Sequence, residues 1–179
     1  MAITPPSERI WWKEPVHKVE IIWVIIAFLW GVAMFFTMIW WHGFGQQNMS
    51  NEAYRIQPFQ FAEKVEAMVA AHTVRQEGAF PVVKPPPGSD VYMMGRVYMW
   101  WPMIELEKGQ TYRLHLSSID LQHGFSLQPL NINIQVHPGY ESVMTITPTS
   151  SGEFGIVCNE YCGLGHHTMT GRIYVVERT

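Results

Sequence analysis

The sequence predicts an all-β domain, a Greek-key sandwich or small barrel, carried behind one membrane-spanning helix. Three observations carry that prediction. Residues 21–41 contain no charged side chain. From Val91 onward, short runs alternate between apolar and polar side chains, the period of a half-buried strand. Turn residues divide those runs at short intervals, as in all-β folds.

Taken in order, residues 1–20 form a short leading segment that carries Arg9, Lys13 and Lys18. Residues 21–41 then make a helix of about 31 Å, matching a hydrocarbon core of roughly 30 Å. Trp40 and Trp41 at one end and Trp11 and Trp12 near the other suit the two membrane interfaces. A cleaved signal peptide has a shorter apolar core and ends on small residues, whereas this run ends in Trp-Trp-His-Gly. Only Arg55 follows within twenty residues. The basic flank therefore predicts a cytoplasmic N-terminus and an extracytoplasmic remainder.

Residues 42–90 read as a connecting segment. A polar exit from the membrane is followed by a helix over 58–72, where Phe61, Val65, Met68 and His72 recur at helical spacing. Pro81, Pro85, Pro86, Pro87 and Gly88 predict a stiff extended linker over 78–90. The β-domain then occupies 91–179. Its predicted strands include Tyr112, Leu114 and Leu116 in one run and Ile132, Ile134 and Val136 in another, with further runs over 142–147, 153–158 and 172–177. Lys108-Gly109, Pro138-Gly139 and Ser151-Gly152 supply turns.

The chain has 179 residues and a net charge of -3, which suits one domain plus an appendage and argues against a nucleic-acid partner. Its two cysteines are too few for a disulfide framework. Both lie in residues 158–169, Cys-Asn-Glu-Tyr-Cys-Gly-Leu-Gly-His-His-Thr-Met. Gly163 and Gly165 allow tight turns, so that Cys158, Cys162, His166 and Met169 can converge, and His123 upstream can add a second imidazole. Thiolate, imidazole and thioether are soft ligands, and the thioether favours copper over zinc. Two thiolates bridging two copper ions, with one histidine on each, would use both sulfurs and spread one electron over the pair. A structural Cys2His2 zinc site and an oxidised Cys158–Cys162 disulfide stay open, as does a plain core role for Met169. His166 fits the spacing from Cys162 better than its neighbour His167. His17, His42, His72, His115 and His137 read as surface or packing residues.

Residues 158–169 resemble the CuA loop of cytochrome c oxidase subunit II, in the B-family pattern with a single membrane helix. The resemblance extends to the anchor, the run Thr73-Val74-Arg75-Gln76-Glu77-Gly78, His123-Gly124-Phe125 and Asn131-Ile132-Asn133. It implies a cupredoxin-like domain holding two copper ions, bridged by Cys158 and Cys162 and capped by His123 and His166. Met169 and the backbone carbonyl of Glu160 would be weak ligands. Glu160 departs from the glutamine more common in the B family and matches the two-helix oxidases, where that side chain helps hold magnesium at the boundary with subunit I. Trp100 or Trp101, in Tyr98-Met99-Trp100-Trp101-Pro102, would take electrons from cytochrome c. The resemblance also implies a bacterial or archaeal cell membrane, with haem in subunit I reducing dioxygen to water coupled to proton translocation. A nitric-oxide reductase using a CuA subunit is the alternative acceptor, and a membrane-tethered zinc module the alternative class.

Overall fold

The computed structural model describes residues 15–45, 52–130 and 132–178. Trp11, Trp12, Arg9, Lys13 and Asn131 lie outside the described residues. The chain divides into two compact units, residues 1–47 and 48–179.

In the first unit, α1 (Lys18–Phe44) extends the expected helix at both ends and is long and apolar enough to cross a membrane. The Glu20 carboxylate accepts a hydrogen bond from the His17 backbone N–H at 2.9 Å, satisfying a donor at the helix start. Leu29, Trp30 and Phe36 are each more than half exposed on its surface.

The second unit is a two-sheet β sandwich, the cupredoxin-like arrangement the resemblance implies. Its strands are β1 (Glu52–Arg55), β2 (Thr73–Glu77), β3 (Phe80–Val83), β4 (Asp90–Arg96), β5 (Met99–Trp101) and β6 (Met103–Glu107), followed by β7 (Tyr112–Ser118), β8 (His123–Gln128), β9 (Ile132–Val136), β10 (Tyr140–Ile146), β11 (Gly152–Cys158) and β12 (Thr170–Val176). One sheet runs β1-β10-β7-β4-β5 and the other β2-β3-β6-β12-β11-β8-β9. Alternation works as the sequence suggests: Leu114 and Leu116 of β7 meet Phe125 of β8, Ile156 of β11 and Ile173 of β12 in one core.

The connecting segment differs from expectation. Residues 80–83 form a strand, not a linker, because Val82 and Val83 are fully buried and pair in parallel with Met103 and Ile104. Residues 52–55 are likewise a strand, paired antiparallel with β10. The sandwich therefore recruits segments on both sides of α2 (Pro58–His72), which forms where the periodicity places it, with Pro58 at the tolerated first turn. Its Phe61 and Val65 are fully buried and Met68 nearly so. They pack on a face of β4 whose alternate residues, Val91 and Met93, point into the core.

Beside α2, His115 takes a packing role inside the domain, away from the ligand cluster. It is buried between Glu141, with Nδ1 2.5 Å from Oε1, and Asp90, with Nε2 3.1 Å from Oδ1. Lys64 of α2 reaches the second Glu141 oxygen at 3.2 Å. The buried carboxylate is thus paired from two sides, which offsets the cost of taking it out of water.

Phe61→Ala should destabilise the domain by about 3–5 kcal/mol, the usual cost of emptying a buried aromatic site. Denaturant unfolding checks this, and a loss within experimental error would mean that α2 is not part of the cooperative unit.

Candidate metal centre

The site is assembled by strand register. In the antiparallel pairing of β8 with β11, Cys158 lies opposite Phe125. His123, two residues before Phe125, then stands beside the end of β11, although 35 positions separate His123 from Cys158 in sequence. The Asn159 N–H donates to the Gly124 carbonyl at 3.2 Å, fixing the start of the loop on β8. A β-carbon on Gly124 would lie 2.0 Å from Asn159 Oδ1 and 2.8 Å from the Glu160 nitrogen, so only glycine permits this approach. The loop closes where the Cys158 N–H donates to the Met169 carbonyl at 3.1 Å, just before β12.

Between those fixed points the side chains converge. Cys158 and Cys162 are buried free thiols whose sulfurs stand 3.8 Å apart. His123 Nδ1 lies 3.9 Å from the Cys158 sulfur, and His166 Nδ1 lies 3.6 Å from the Cys162 sulfur. Met169 Sδ is 3.8 Å from the Cys162 sulfur, and the Glu160 carbonyl oxygen is 3.2 Å from the Cys158 sulfur. His123, Cys158 and Cys162 have donor atoms within 4.8 Å of one another, the one such cluster among the described residues. His166 is partly buried in a short 3-10 turn, whereas His167 is exposed. The donor set is soft, converging and shielded from water, which suits copper.

Sequence reasoning passed over Asp120, three residues before His123. With an ionised carboxylate as acceptor, His123 Nε2–H donates to Asp120 Oδ1 at 2.8 Å. Nδ1 is left with its lone pair directed toward Cys158, the orientation a metal-binding imidazole needs. Burial pushes the Asp120 carboxyl up, but hydrogen bonds from His123 and from the backbone N–H groups of Val97 and Leu121 outweigh it and hold the group below its ordinary value. The signal available in sequence was only a carboxylate on the same short loop as a candidate ligand.

Trp100 is fully buried, with its ring centroid 6.0 Å from that of His123 and 5.3 Å from that of Phe125. Trp101 is partly buried against Phe80, under the Arg96 guanidinium. The two expected electron-uptake residues thus occupy different settings, and Trp100 is the one against the metal cluster. Glu160 is half-buried, its carboxylate accepting from Gln135 Nε2 at 3.1 Å.

A cupredoxin-like sandwich with a soft sulfur and imidazole cluster at one end, in a chain whose first helix is long enough to span a membrane, fits the class of copper-binding domains carried on a membrane anchor. No family model matches the chain. Two relatives from Thermus thermophilus, both named cytochrome c oxidase subunit 2, are 40% identical over 112 residues. The match covers 59% of this chain and 83% of one relative, and 67% of the other. A probable cytochrome c oxidase subunit 2 of Streptomyces coelicolor is 36% identical over 76 residues, 42% of this chain and 24% of that protein. Among solved structures, a chain of a heme-copper terminal oxidase dimer matches with a TM-score of 0.59 at 20% identity, covering 89% of this chain and all of that one, a likeness of fold. The chain belongs to the cytochrome c oxidase subunit 2 family.

Two outcomes follow for metal loading. Burial, reinforced by its hydrogen bond with Cys158, pushes the Cys162 thiol up to about 11. Below that value the thiol is protonated, and a thiolate ligand must release the proton. Copper affinity should therefore rise with pH across the neutral range, with proton release seen in unbuffered titration. Asp120→Ala should weaken copper retention by about 10–100-fold, because the imidazole loses the acceptor that fixes its tautomer. Competition with a chelator measures the change, and equal retention would remove Asp120 from the site.

Proposed function

We propose that this chain is the electron-input subunit of a respiratory haem–copper oxidase and holds a dinuclear CuA centre. The observation that carries the reading is the pair of buried sulfurs 3.8 Å apart with one imidazole beside each. A mononuclear blue-copper site, built from one cysteine, two histidines and one methionine, would leave the second cysteine sulfur without use. In this reading Cys158 and Cys162 bridge two coppers, His123 and His166 are the terminal ligands, and Met169 and the Glu160 carbonyl are weak ligands. The bound pair takes up and gives back one electron with its charge spread over two metals and two sulfurs. The protein keeps water from the sulfurs by burial, and Asp120 and Trp100 hold His123 from two sides.

Electrons would come singly from cytochrome c, by way of Trp101 and Trp100, and leave for haem in subunit I. That partner would reduce dioxygen to water coupled to proton translocation. The helix α1 would anchor the chain once in a bacterial or archaeal cell membrane, with the N-terminus cytoplasmic and the β domain outside. The basic flank supports this orientation, and of its members Lys18 lies within the described residues. Glu160 offers a single carboxylate toward magnesium, so the other ligands would have to come from subunit I.

The zinc module has in its favour the four donors Cys158, Cys162, His123 and His166. Against it stands Met169, almost fully buried beside the Cys162 sulfur, a thioether that zinc does not seek. The test is electron paramagnetic resonance of the full-length chain in detergent, loaded with copper. Hyperfine structure from one electron shared equally by two copper nuclei is expected. The spectrum of a single copper, or retention of zinc in place of copper, would overturn the assignment. Activity of the assembled complex toward dioxygen and toward nitric oxide separates the oxidase from a nitric-oxide reductase.

A further inference from the structure

Gly165 has φ −90° and ψ 8°, a backbone conformation open to residues with side chains, so backbone freedom does not explain a glycine there. Its neighbourhood does. A β-carbon on Gly165 would lie 2.3 Å from Cδ2 of Tyr98 and 2.6 Å from both Cε2 and Cγ. A β-carbon on Gly163 would lie 2.7 Å from the Tyr98 hydroxyl oxygen. One aromatic ring therefore rests on both glycines. Cys162 immediately precedes the first of them, and His166 immediately follows the second.

Beyond Cys162, which is itself buried in the core, the residues from Gly163 to Thr168 contribute no buried side chain to the fold. Leu164, between the glycines, is 89% exposed. The His166 N–H donates to the Gly163 carbonyl at 3.1 Å and the Thr168 N–H to the Gly165 carbonyl at 2.9 Å. These bonds are internal to the loop, so they set its shape without fixing its position. Tyr98 comes from elsewhere: it lies in the turn joining β4 to β5, in the other sheet, and packs against the buried core.

We infer that Tyr98 is the positioning residue of the metal loop. Its ring, seated on Gly163 and Gly165, holds Cys162 and His166 in place opposite Cys158 and His123. The glycines make room for the ring, and the ring replaces the side-chain packing that the glycines cannot supply. The inference rests on the copper reading above, and it gives Tyr98 a role in holding the metal through the loop, without contact with the metal itself.

The experiment compares the full-length chain in detergent with Tyr98→Phe, Tyr98→Ala, Gly165→Ala and the Tyr98→Ala/Gly165→Ala pair, each loaded with copper. Copper loss to a chelator and the paramagnetic resonance line shape are read together, with thermal unfolding of the metal-free forms as the control for folding. Tyr98→Phe keeps the ring and should retain copper as the unmodified chain does. Tyr98→Ala and Gly165→Ala should each release copper about tenfold faster, with a changed line shape. The pair should be no worse than Tyr98→Ala alone, because the steric conflict disappears with the ring and the two effects fail to add.

Copper retention and line shape unchanged in Tyr98→Ala, or losses that simply add in the pair, would overturn the inference. So would a fall in metal-free stability with the line shape preserved, which marks a purely structural residue. A single-copper spectrum from the unmodified chain would sink the dinuclear assignment, while the comparison of copper retention would still decide the role of Tyr98.

Discussion

The antiparallel register between β8 and β11 is the constraint on which the site depends. Side chains alternate along each strand, so a slip of one residue would turn Cys158 away from the interior and leave His123 facing another neighbour. The register is held by more than its ladder. Phe125 and Ile156, on the paired strands, are both buried in the common core, so a slip would expose apolar surface on two strands together. The bond from Asn159 to the Gly124 carbonyl and the glycine that permits it extend the same pairing one residue into the loop. The part of the molecule that fixes the first sulfur and first imidazole is thus also the part that stabilises the sandwich.

Burial of the sulfurs has a cost that shapes the rest of the cluster. A thiol in an apolar setting resists ionisation, as the raised Cys162 value reflects. Deprotonation becomes favourable when positive charge arrives, so a cation of the proposed kind would supply what the surroundings withhold. Asp120 shows the complementary arrangement. It is a half-buried carboxylate held below its ordinary value by hydrogen bonds, one of them from His123 itself, and that bond leaves the inner imidazole nitrogen free. The negative charge sits one imidazole away from the sulfurs, where it orients a ligand and adds only the smallest of the contributions that push the Cys162 thiol up.

Sequence made some of this legible and hid the rest for physical reasons. The apolar span, α2 and the later strands have strong local periodicity, and the dense ligand spacing of 158–169 points to metal chemistry by itself. β3 escaped notice because its prolines read as a linker, while its burial comes from parallel pairing with a distant strand. β1 is exposed along its whole length and carries no alternation to detect. His115 and Tyr98 owe their settings to contacts across strands or between sheets, and Asp120 to the fold of one short loop, which no spacing rule reveals. Trp100 and Trp101 are neighbours in sequence and look equivalent there. The alternation of β5 separates them, burying the first against His123 and leaving the second partly exposed beside Phe80 and Arg96.

Fast electron exchange asks that the ligands stay nearly still when charge changes, and the chain distributes that requirement unevenly. Cys158 and His123 stand on strands, and Met169 is tied to Cys158 through the backbone at the mouth of β12. Any motion must therefore come from the stretch that contains Cys162 and His166, where the polypeptide leaves the sheet and turns on glycines. Such a stretch would leave half of the donors loosely placed unless something outside the loop closed on it. An aromatic ring from the opposite sheet does so, Tyr98 resting on both Gly163 and Gly165. A strand frame thus holds half of the donors, and one packing contact between the sheets braces the other half.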